Sequence, residues 1–206
     1  VCDGGAFAGP CVIDGKNAPG GLPAPNADTN GVPAPEVGLI VKFNPTLGRW
    51  EDELGRDWSD VVEFDLPDLD VFAIDAGAAS PANIVATASF PSVGTVIFNM
   101  VVHPTTGNVY VTNTEAINEV RFEGHGILSG SSVISHLHEA RVTVLDIAGV
   151  GTVEPRHLNK HIDYDTVPSP AGVADLSLAT PLGMALDATS GKLFVAAFGS
   201  SKIGVY

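Results

Sequence analysis

Basic residues are scarce in this chain. Lysine and arginine together number 10, against 24 aspartates and glutamates, and the formal net charge is −14. A nucleic-acid-binding surface needs a concentrated positive patch, so this composition argues against nucleic acid as a partner. Attraction to anionic membrane surfaces is disfavoured for the same reason. The field of an acidic protein instead steers positively charged partners toward it.

The chain also lacks spanning segments and the motifs of several enzyme classes. No apolar run reaches the roughly 18 residues that a spanning helix requires, so we predict no membrane span. Gly-x-Ser-x-Gly, dinucleotide-binding and phosphate-loop motifs are absent. Nucleophilic catalysis therefore has little support, and the composition leans towards a role other than catalysis.

Cysteine is nearly absent, since Cys2 and Cys11 are the only two. Their short separation in a Gly-rich stretch favours a local disulfide in an oxidising compartment, and two free thiols are the alternative. Without a Cys-x-x-Cys-His motif, the chain itself attaches no c-type haem. An acidic, lysine-poor chain of this kind is typical of an extracytoplasmic protein, whether periplasmic, displayed on the cell surface or secreted.

What the chain does have is a repeat. Residues 99–122 and 183–206 align without a gap at an offset of 84 residues, with Val111 matched to Val195. Each copy has an apolar run, a polar turn with a late glycine, and a second run of β-branched and aromatic residues. This pattern predicts a β-hairpin in each copy. The alignment also predicts a third strand over residues 118–122.

The spacing between the copies leaves room for further strands. Short apolar runs at 70–75 and 141–146 each end at an Asp that opens a turn. The offset is then interpreted as two units of about 40–45 residues, the size of a four-stranded propeller blade. We therefore predict an all-β fold. Its architecture is a β-propeller or partial propeller of four-stranded antiparallel blades, about 42 residues per blade, with long loop insertions.

Residues 109–113 contain the tetrad Tyr-Val-Thr-Asn, preceded by a Pro-x-x-Gly turn and a short apolar strand. Over about residues 70–206 the chain resembles the YVTN β-propeller repeat family of bacterial and archaeal extracytoplasmic proteins. The stretches 156–161 and 177–184 also resemble those of large bacterial propeller proteins that carry c-type cytochrome segments elsewhere. The resemblance implies a propeller fold, and it points to a c-type cytochrome as a candidate partner.

Two regions of different composition divide the chain. Residues 1–37 are rich in Gly, Pro, Ala and Asn without periodicity, so we predict a loop segment there. Residues 38–206 are assigned to propeller blades. Because the last predicted strand is still running at Tyr206, we expect the array to be incomplete at its C-terminus. Its open sheet edge then needs further chain or a protein partner to close the propeller.

Four histidines form the candidate metal site. His136 and His138 are two residues apart, which puts both on one face of a strand. His157 and His161 are four apart, as on one face of a helical turn. Four imidazoles suit copper or zinc. The alternatives are ordinary hydrogen-bonded loop histidines and a catalytic acid–base role.

An acidic stretch offers a second candidate metal site. Its closely spaced carboxylates are hard oxygen ligands of the kind that calcium prefers, although the EF-hand pattern is absent. A solvated acidic face is the alternative. The residues are Asp57, Asp60, Glu63, Asp65, Asp68 and Asp70.

Three functions remain in competition at this point. The leading hypothesis is a non-enzymatic extracytoplasmic propeller segment that binds another protein, with a redox protein such as a cytochrome as candidate partner. The first alternative is a copper- or zinc-dependent redox or hydrolytic enzyme that uses the four histidines. The second is a structural component of a surface layer or filament, in which an open sheet edge pairs with a neighbouring subunit.

Overall fold

A computed structural model describes most of the chain. The described residues are 9–21, 40–44, 46–52, 54–64, 69–77, 89–117, 136–147, 151–164, 166 and 169–206. Among them are thirteen strands, one four-residue α-helix and one short 3₁₀ turn, and every strand pair is antiparallel. The prediction of an all-β antiparallel fold is confirmed.

The internal contacts divide the chain into two compact units. The first unit comprises Val1–Leu66 and Ile117–Leu137, and the second comprises Pro67–Ala116 and His138–Tyr206. The predicted boundary between residues 37 and 38 lies in a stretch outside the described residues, so it stays a prediction.

The first unit is described by two short hairpins. β1 (Cys11–Ile13) pairs with β2 (Lys16–Ala18), and β3 (Lys42–Asn44) pairs with β4 (Arg49–Glu51). The turn between β1 and β2 is Asp14-Gly15, and both of its residues have positive φ angles, of 48° and 82°. An Asp-Gly pair tolerates this backbone, which matches the twist of the flanking strands and so closes a tight hairpin.

The second unit contains three sheets and one helix. Its elements are β5 (Val71–Phe72), β6 (Ser89–Phe90), β7 (Val96–Val102), β8 (Val109–Ala116), β9 (His138–Leu145), β10 (Val153–His157), α1 (Val173–Leu176), β11 (Pro181–Asp187), β12 (Lys192–Ala197) and β13 (Lys202–Val205). β5 pairs with β6. A four-stranded sheet has the order β10-β9-β8-β7, and a three-stranded sheet has the order β11-β12-β13.

The two repeat copies form hairpins with the same register. Met100 lies opposite Val111 in the β7–β8 hairpin, and Met184 lies opposite Val195 in the β11–β12 hairpin. The 84-residue offset therefore relates structural as well as sequence positions. The prediction of a β-hairpin in each copy is confirmed.

The turns of the two hairpins are closed in the same way. The Gly107 amide donates to the His103 carbonyl at 2.9 Å, and the Gly191 amide donates to the Asp187 carbonyl at 2.8 Å. Both glycines have positive φ angles, of 76° and 69°, which any other residue would adopt with strain. Glycine is therefore needed at this point of each turn.

The side chain that opens each turn differs between the copies. His103 Nδ1 accepts from the backbone amides of Thr105 and Thr106, both at 3.2 Å. The Asp187 carboxylate accepts from the Thr189 amide at 3.0 Å. An imidazole nitrogen in one copy and a carboxylate oxygen in the other thus accept the hydrogen bonds from the turn amides.

The third strand departs from the gapless alignment. Residues 118–122, predicted as that strand, lie outside the described residues. The strand that pairs with β8 is β9, in which Thr143 lies opposite Val111. In the second copy, Gly204 of β13 lies opposite Val195. The first copy therefore carries a long insertion between its second and third strands.

This topology bears on the interpretation of the offset. β9 and β10 join β7 and β8 in one sheet. The described residues thus place one four-stranded sheet, rather than two, between the start of the first hairpin and the start of the second. The insertion and the connector 158–180 fill the remaining length. A period of about 42 residues, typical of propeller blades, is not seen in this part of the chain.

The four-stranded sheet is packed on both faces. On one face, Val109, Val111 and Leu145 form a buried cluster with Val71 and Phe90 of the β5–β6 pair. On the other face, Val142 forms a cluster with Leu193 and Val195 of the three-stranded sheet. Side chains alternate between the two faces along each strand. Because both faces are covered, apolar residues occur at both sets of positions.

The Tyr-Val-Thr-Asn tetrad lies in β8 and links these layers. Val111 is fully buried toward β5–β6, whereas Tyr110 packs against the three-stranded sheet. The Thr112 hydroxyl donates to the Leu182 carbonyl of β11 at 3.2 Å. The tetrad therefore alternates between an apolar contact with one neighbouring sheet and apolar and polar contacts with the other.

Asn113 completes a buried polar network. Its amide nitrogen donates to the Thr143 hydroxyl at 2.8 Å, and that hydroxyl donates to the Val93 carbonyl at 2.9 Å. A Cβ placed on Gly94 would lie 2.5 Å from Asn113 Oδ1, so the backbone approaches this side chain closely. The network joins β8 and β9 to the segment that precedes β7.

Candidate binding surface

The predicted metal-binding histidines have separate surroundings. His138 is the first residue of β9 and is exposed. His157 ends β10, and its Nε2 lies 3.3 Å from the Tyr164 hydroxyl. His161 Nε2 lies 3.1 Å from the Ser177 hydroxyl, which itself donates to the Val173 carbonyl. His161 therefore donates to Ser177 in this arrangement.

His136 falls in the first unit, whereas the other three histidines fall in the second. Among the described residues, no group of three or more His, Cys, Asp or Glu side chains is placed to hold a metal ion. The proposed copper or zinc site thus gains no geometric support. Burial raises the pKa of the Tyr164 phenol next to His157, with a smaller contribution from the negative charge of Glu139.

Asp57 and Asp70 of the acidic stretch have partners within the protein. Asp57 accepts from the hydroxyl and amide of Ser59, and these hydrogen bonds lower its pKa. Asp70 accepts from the Val93 amide at 2.8 Å. Asp65 and Asp68 lie outside the described residues, so the calcium site stays a prediction.

The disulfide prediction is described at one end. Cys11 is disulfide-bonded. Cys2 lies outside the described residues, so its part in the predicted bond is not described.

A buried carboxylate accepts several hydrogen bonds in the segment that follows β4. Asp52 accepts from the Trp58 indole at 2.8 Å, from the Arg56 guanidinium at 2.7 Å and from the Leu54 amide at 2.9 Å. Burial raises its pKa, but the hydrogen bonds from the Arg56 amide and these groups outweigh burial and hold the pKa below its usual value. With its oxygens so fully used, Asp52 has a structural rather than a catalytic environment.

The feature best suited to binding is one face of the three-stranded sheet. Along β12, Leu193, Val195 and Ala197 are buried, while Phe194 and Ala196 are exposed. Across the strands, Phe194 lies opposite Ala185 and Val205, and Ala196 lies opposite Ile203. We call this exposed apolar set the outer face; it consists of Ala185, Phe194, Ala196, Ile203 and Val205.

The outer face is apolar although it is open to solvent. Ile203 is 69% exposed and Val205 is 54% exposed. Single exposed apolar residues are ordinary, whereas contiguous exposed apolar patches are a common feature of interaction surfaces. Its charged neighbours in the paired strands are Asp187 and Lys192, at the turn end of the hairpin.

The last strand of this sheet, β13, is an edge strand within the described part of the chain. Leu193 and Tyr206 exchange two backbone hydrogen bonds of 2.9 Å. Because these pairs alternate in an antiparallel ladder, the N–H and C=O groups of Ile203 and Val205 point away from β12. Among the described residues, β12 is the only strand that pairs with β13. Such an edge is a template for a further strand.

Sequence reasoning did not single out the outer face. A signal for it was present, because residues 193–197 are apolar at consecutive positions rather than at alternate ones. A strand that is apolar on both faces is typical of a sheet covered on both sides. The pattern predicts a strand in the hairpin, but it does not by itself identify which side of the strand is exposed.

Comparisons with known proteins add little. No family model matches the chain, and no curated protein matches it either. Among solved structures, the chain is similar to hydrazine synthase of Kuenenia stuttgartiensis, with 17% identity and a TM-score of 0.37. That similarity covers 53% of this chain and 25% of the other, and a TM-score this low does not show a shared fold.

One further observation concerns membranes. Within the described part of the chain, no helix is both long and apolar enough to cross a bilayer.

Proposed function

We propose that this chain is a non-enzymatic, extracytoplasmic segment of a β-propeller that binds another protein through the outer face. The single observation that carries the proposal is the exposure of Phe194, Ile203 and Val205 on one sheet face. Burying such side chains at an interface contributes about 25 cal/mol for each Å² of apolar area removed from water, before the entropic cost of association is subtracted.

The propeller part of the proposal rests on stacked antiparallel sheets. Three sheets of the second unit are layered, and the two hairpins that repeat in sequence also repeat in register. Radial repetition of such sheets is the construction principle of a propeller. The number of blades and the closure of the ring belong to the proposal.

Charge favours a basic partner. The chain has a net charge of −14, and a field of this sign accelerates encounter with a positively charged protein at low ionic strength. A basic c-type cytochrome is a partner of this class. The apolar outer face then supplies the contact itself, because charge complementarity acts mainly on the rate of association.

Site-specific photo-crosslinking in the native host tests the proposal. A photoreactive phenylalanine analogue at position 194 should yield a crosslinked product with a second protein. The same analogue at Thr189, in the exposed turn of the hairpin, serves as the matched control and should yield little product. Equal yields at both positions, or no product at 194, would overturn the proposal.

The open edge of β13 favours the structural alternative, a surface-layer or filament component. In that case the edge pairs with a neighbouring subunit in a head-to-tail contact, which generates a ring or an open filament. Electron microscopy of the native assembly distinguishes the two. A regular array of this chain supports the structural role, and isolated particles with a second protein support the binding role.

A further inference from the structure

The outer face has a counterpart within the chain. The shared hairpin register and the paired third strands relate each of its positions to one in the four-stranded sheet. At three of the five related positions the residue type is kept, with an aromatic residue matching an aromatic one once and a β-branched residue matching a β-branched one twice. The related pairs are Phe194 with Tyr110, Ile203 with Val142, Val205 with Val144, Ala185 with Val101 and Ala196 with Thr112.

The counterpart face is covered, and the structure shows by what. Met184, Leu186, Leu193 and Val195, on the inward side of the β11–β12 hairpin, pack with Val142 and its neighbours. Val142 is 4% exposed as a result, whereas its counterpart Ile203 is 69% exposed. The same kind of surface is therefore buried in one sheet and bare in the next.

Another copy of the described residues cannot cover the outer face in the way that the β11–β12 hairpin covers the counterpart face. The inward sides of both hairpins are already used, because Val111 and Val195 are each 0% exposed. A second molecule therefore has no free inward hairpin side to offer among its described residues. An occupant that reproduces the observed contact has to bring a hairpin whose inward side is still open.

We propose that the outer face binds a further β-hairpin of the same repeat pattern. Its turn is opened by an acceptor side chain and closed by a glycine, as at Asp187 and Gly191. Its inward positions carry Leu and Val, as at Leu193 and Val195. This inference rests on the proposed function and names the chemistry of the partner at that same surface.

The occupant differs from the known hairpin in one respect. Ala185 of β11 and Ala196 of β12 are smaller than their counterparts Val101 and Thr112, so the outer face is recessed at these two positions. Close packing leaves few voids, so the occupant needs larger inward side chains over this part of the sheet. Ala196 also has no hydroxyl to donate across the layer, so the contact there is apolar.

The test supplies such a hairpin in a fusion. In this fusion a second copy of residues 158–206 follows Tyr206. The original copy carries the substitution Ile203→Cys. We expect the appended sheet to slow labelling of this thiol by at least about tenfold, because a buried group reacts only during local opening. Thr189→Cys, in the exposed turn of the original copy, should label at the same rate with and without the appended sheet.

A second fusion keeps the result interpretable. When Leu193 and Val195 of the appended copy are replaced by Asp, the appended inward side becomes charged, and protection of the thiol should be lost. Fast labelling in the unaltered fusion, with circular dichroism showing the added strand content, would overturn the inference. Slow labelling in the parent chain together with sedimentation as a dimer would overturn it too, in favour of a second copy.

The two proposals can fail separately. Crosslinking at position 194 to a protein without this repeat, together with no protection in the fusion, leaves the proposed function standing and removes this inference. Protection in the fusion without any intermolecular crosslink in the host does the reverse. It would mean that the outer face is a stacking surface for repeat hairpins and not a site for a separate protein.

Discussion

The two repeat hairpins have the same inward side and opposite outward environments. Val111 and Val195 occupy the same register position, and both are fully buried. On the opposite face of each sheet, Val142 is covered while Ile203 is 69% exposed. Local sequence therefore determines the hairpin, its turn and its inward packing. Whether the outward side is buried depends on what is stacked against it.

The copies also differ in polar chemistry across the layer. Thr112 donates to the carbonyl of Leu182, and Asn113 links β8 to β9. The equivalent positions in the second copy are Ala196 and Ala197, which have no donor to offer. The covered sheet is thus held by apolar contacts and hydrogen bonds together, whereas the outer face relies on apolar surface alone.

The largest expected effect compares the two sides of one strand. Val195→Asp buries an unpaired carboxylate and should destabilise the fold by at least about 3 kcal/mol. Phe194→Asp, the neighbouring outward position, removes a ring that is 36% exposed and should cost clearly less, about 1 kcal/mol. Urea unfolding followed by far-UV circular dichroism measures both, and similar losses would mean that the outer face is covered.

Truncation at counterpart positions comes next. Val142→Ala leaves a cavity between two sheets and should cost about 2 kcal/mol. Ile203→Ala removes more atoms but should cost less than about 0.5 kcal/mol, because those atoms are in water. Thermal unfolding of the two variants at the same concentration checks the order, and a larger loss for Ile203→Ala would contradict it.

The Gly94 position tests the buried network of the covered sheet. Gly94→Ala places a methyl group 2.5 Å from Asn113 Oδ1 and should cost about 1–3 kcal/mol through overpacking. Gly183→Ala is the matched control, since its Cβ would meet Ala196 at an ordinary 3.7 Å. Chemical denaturation should find the control close to the parent. Equal losses of stability in the two variants would mean that the close contact with Asn113 is not the cause of the loss in Gly94→Ala.

Exchange of the polar position between copies should have a smaller effect. Thr112→Ala removes the hydrogen bond to Leu182 and should cost about 1 kcal/mol. Ala196→Thr adds a hydroxyl on the outer face, where water satisfies it, and should leave the free energy of unfolding nearly unchanged. Stabilisation beyond the roughly 1 kcal/mol that β-propensity allows would show that the hydroxyl finds a protein acceptor there.

The turn of the second copy gives the smallest expected effect. The hydroxyl of Ser190, and then the amide of Thr189, lower the pKa of Asp187. A carboxyl with a lowered folded pKa contributes stability above its unfolded pKa and loses it as the pH falls through the folded value. Asp187→Ala should therefore reduce stability slightly near neutral pH and leave the acid limit unchanged. Thermal unfolding of the parent and the variant over a range of pH measures this. A stability difference that is the same at every pH would contradict the prediction.

The hairpins were predictable from sequence because their signals are local. The glycines at 107 and 191 are needed for positive φ angles, and the β-branched runs beside them suit a pleated sheet. The third strand was not predictable in the same way. Nothing in the alignment marks where the first copy departs from the second, and β9 pairs with β8 only after a long insertion.

The candidate sites were harder to predict because they depend on packing. Spacing placed the histidines on common faces, but His157 and His161 hydrogen-bond to Tyr164 and Ser177 instead. The outer face could not be recognised from spacing either. Its residues resemble the buried ones in composition, and only the position of the neighbouring sheet separates a core from a surface.

Hydroxyl-radical footprinting tests the central claim most directly, by comparing the purified chain with the same chain in its native assembly. Phe194, Ile203 and Val205 should be oxidised readily in the purified chain and protected in the assembly. Tyr110 and Val142 should be protected in both states. Equal oxidation of the outer face in both states would contradict the claim that this face is a binding surface.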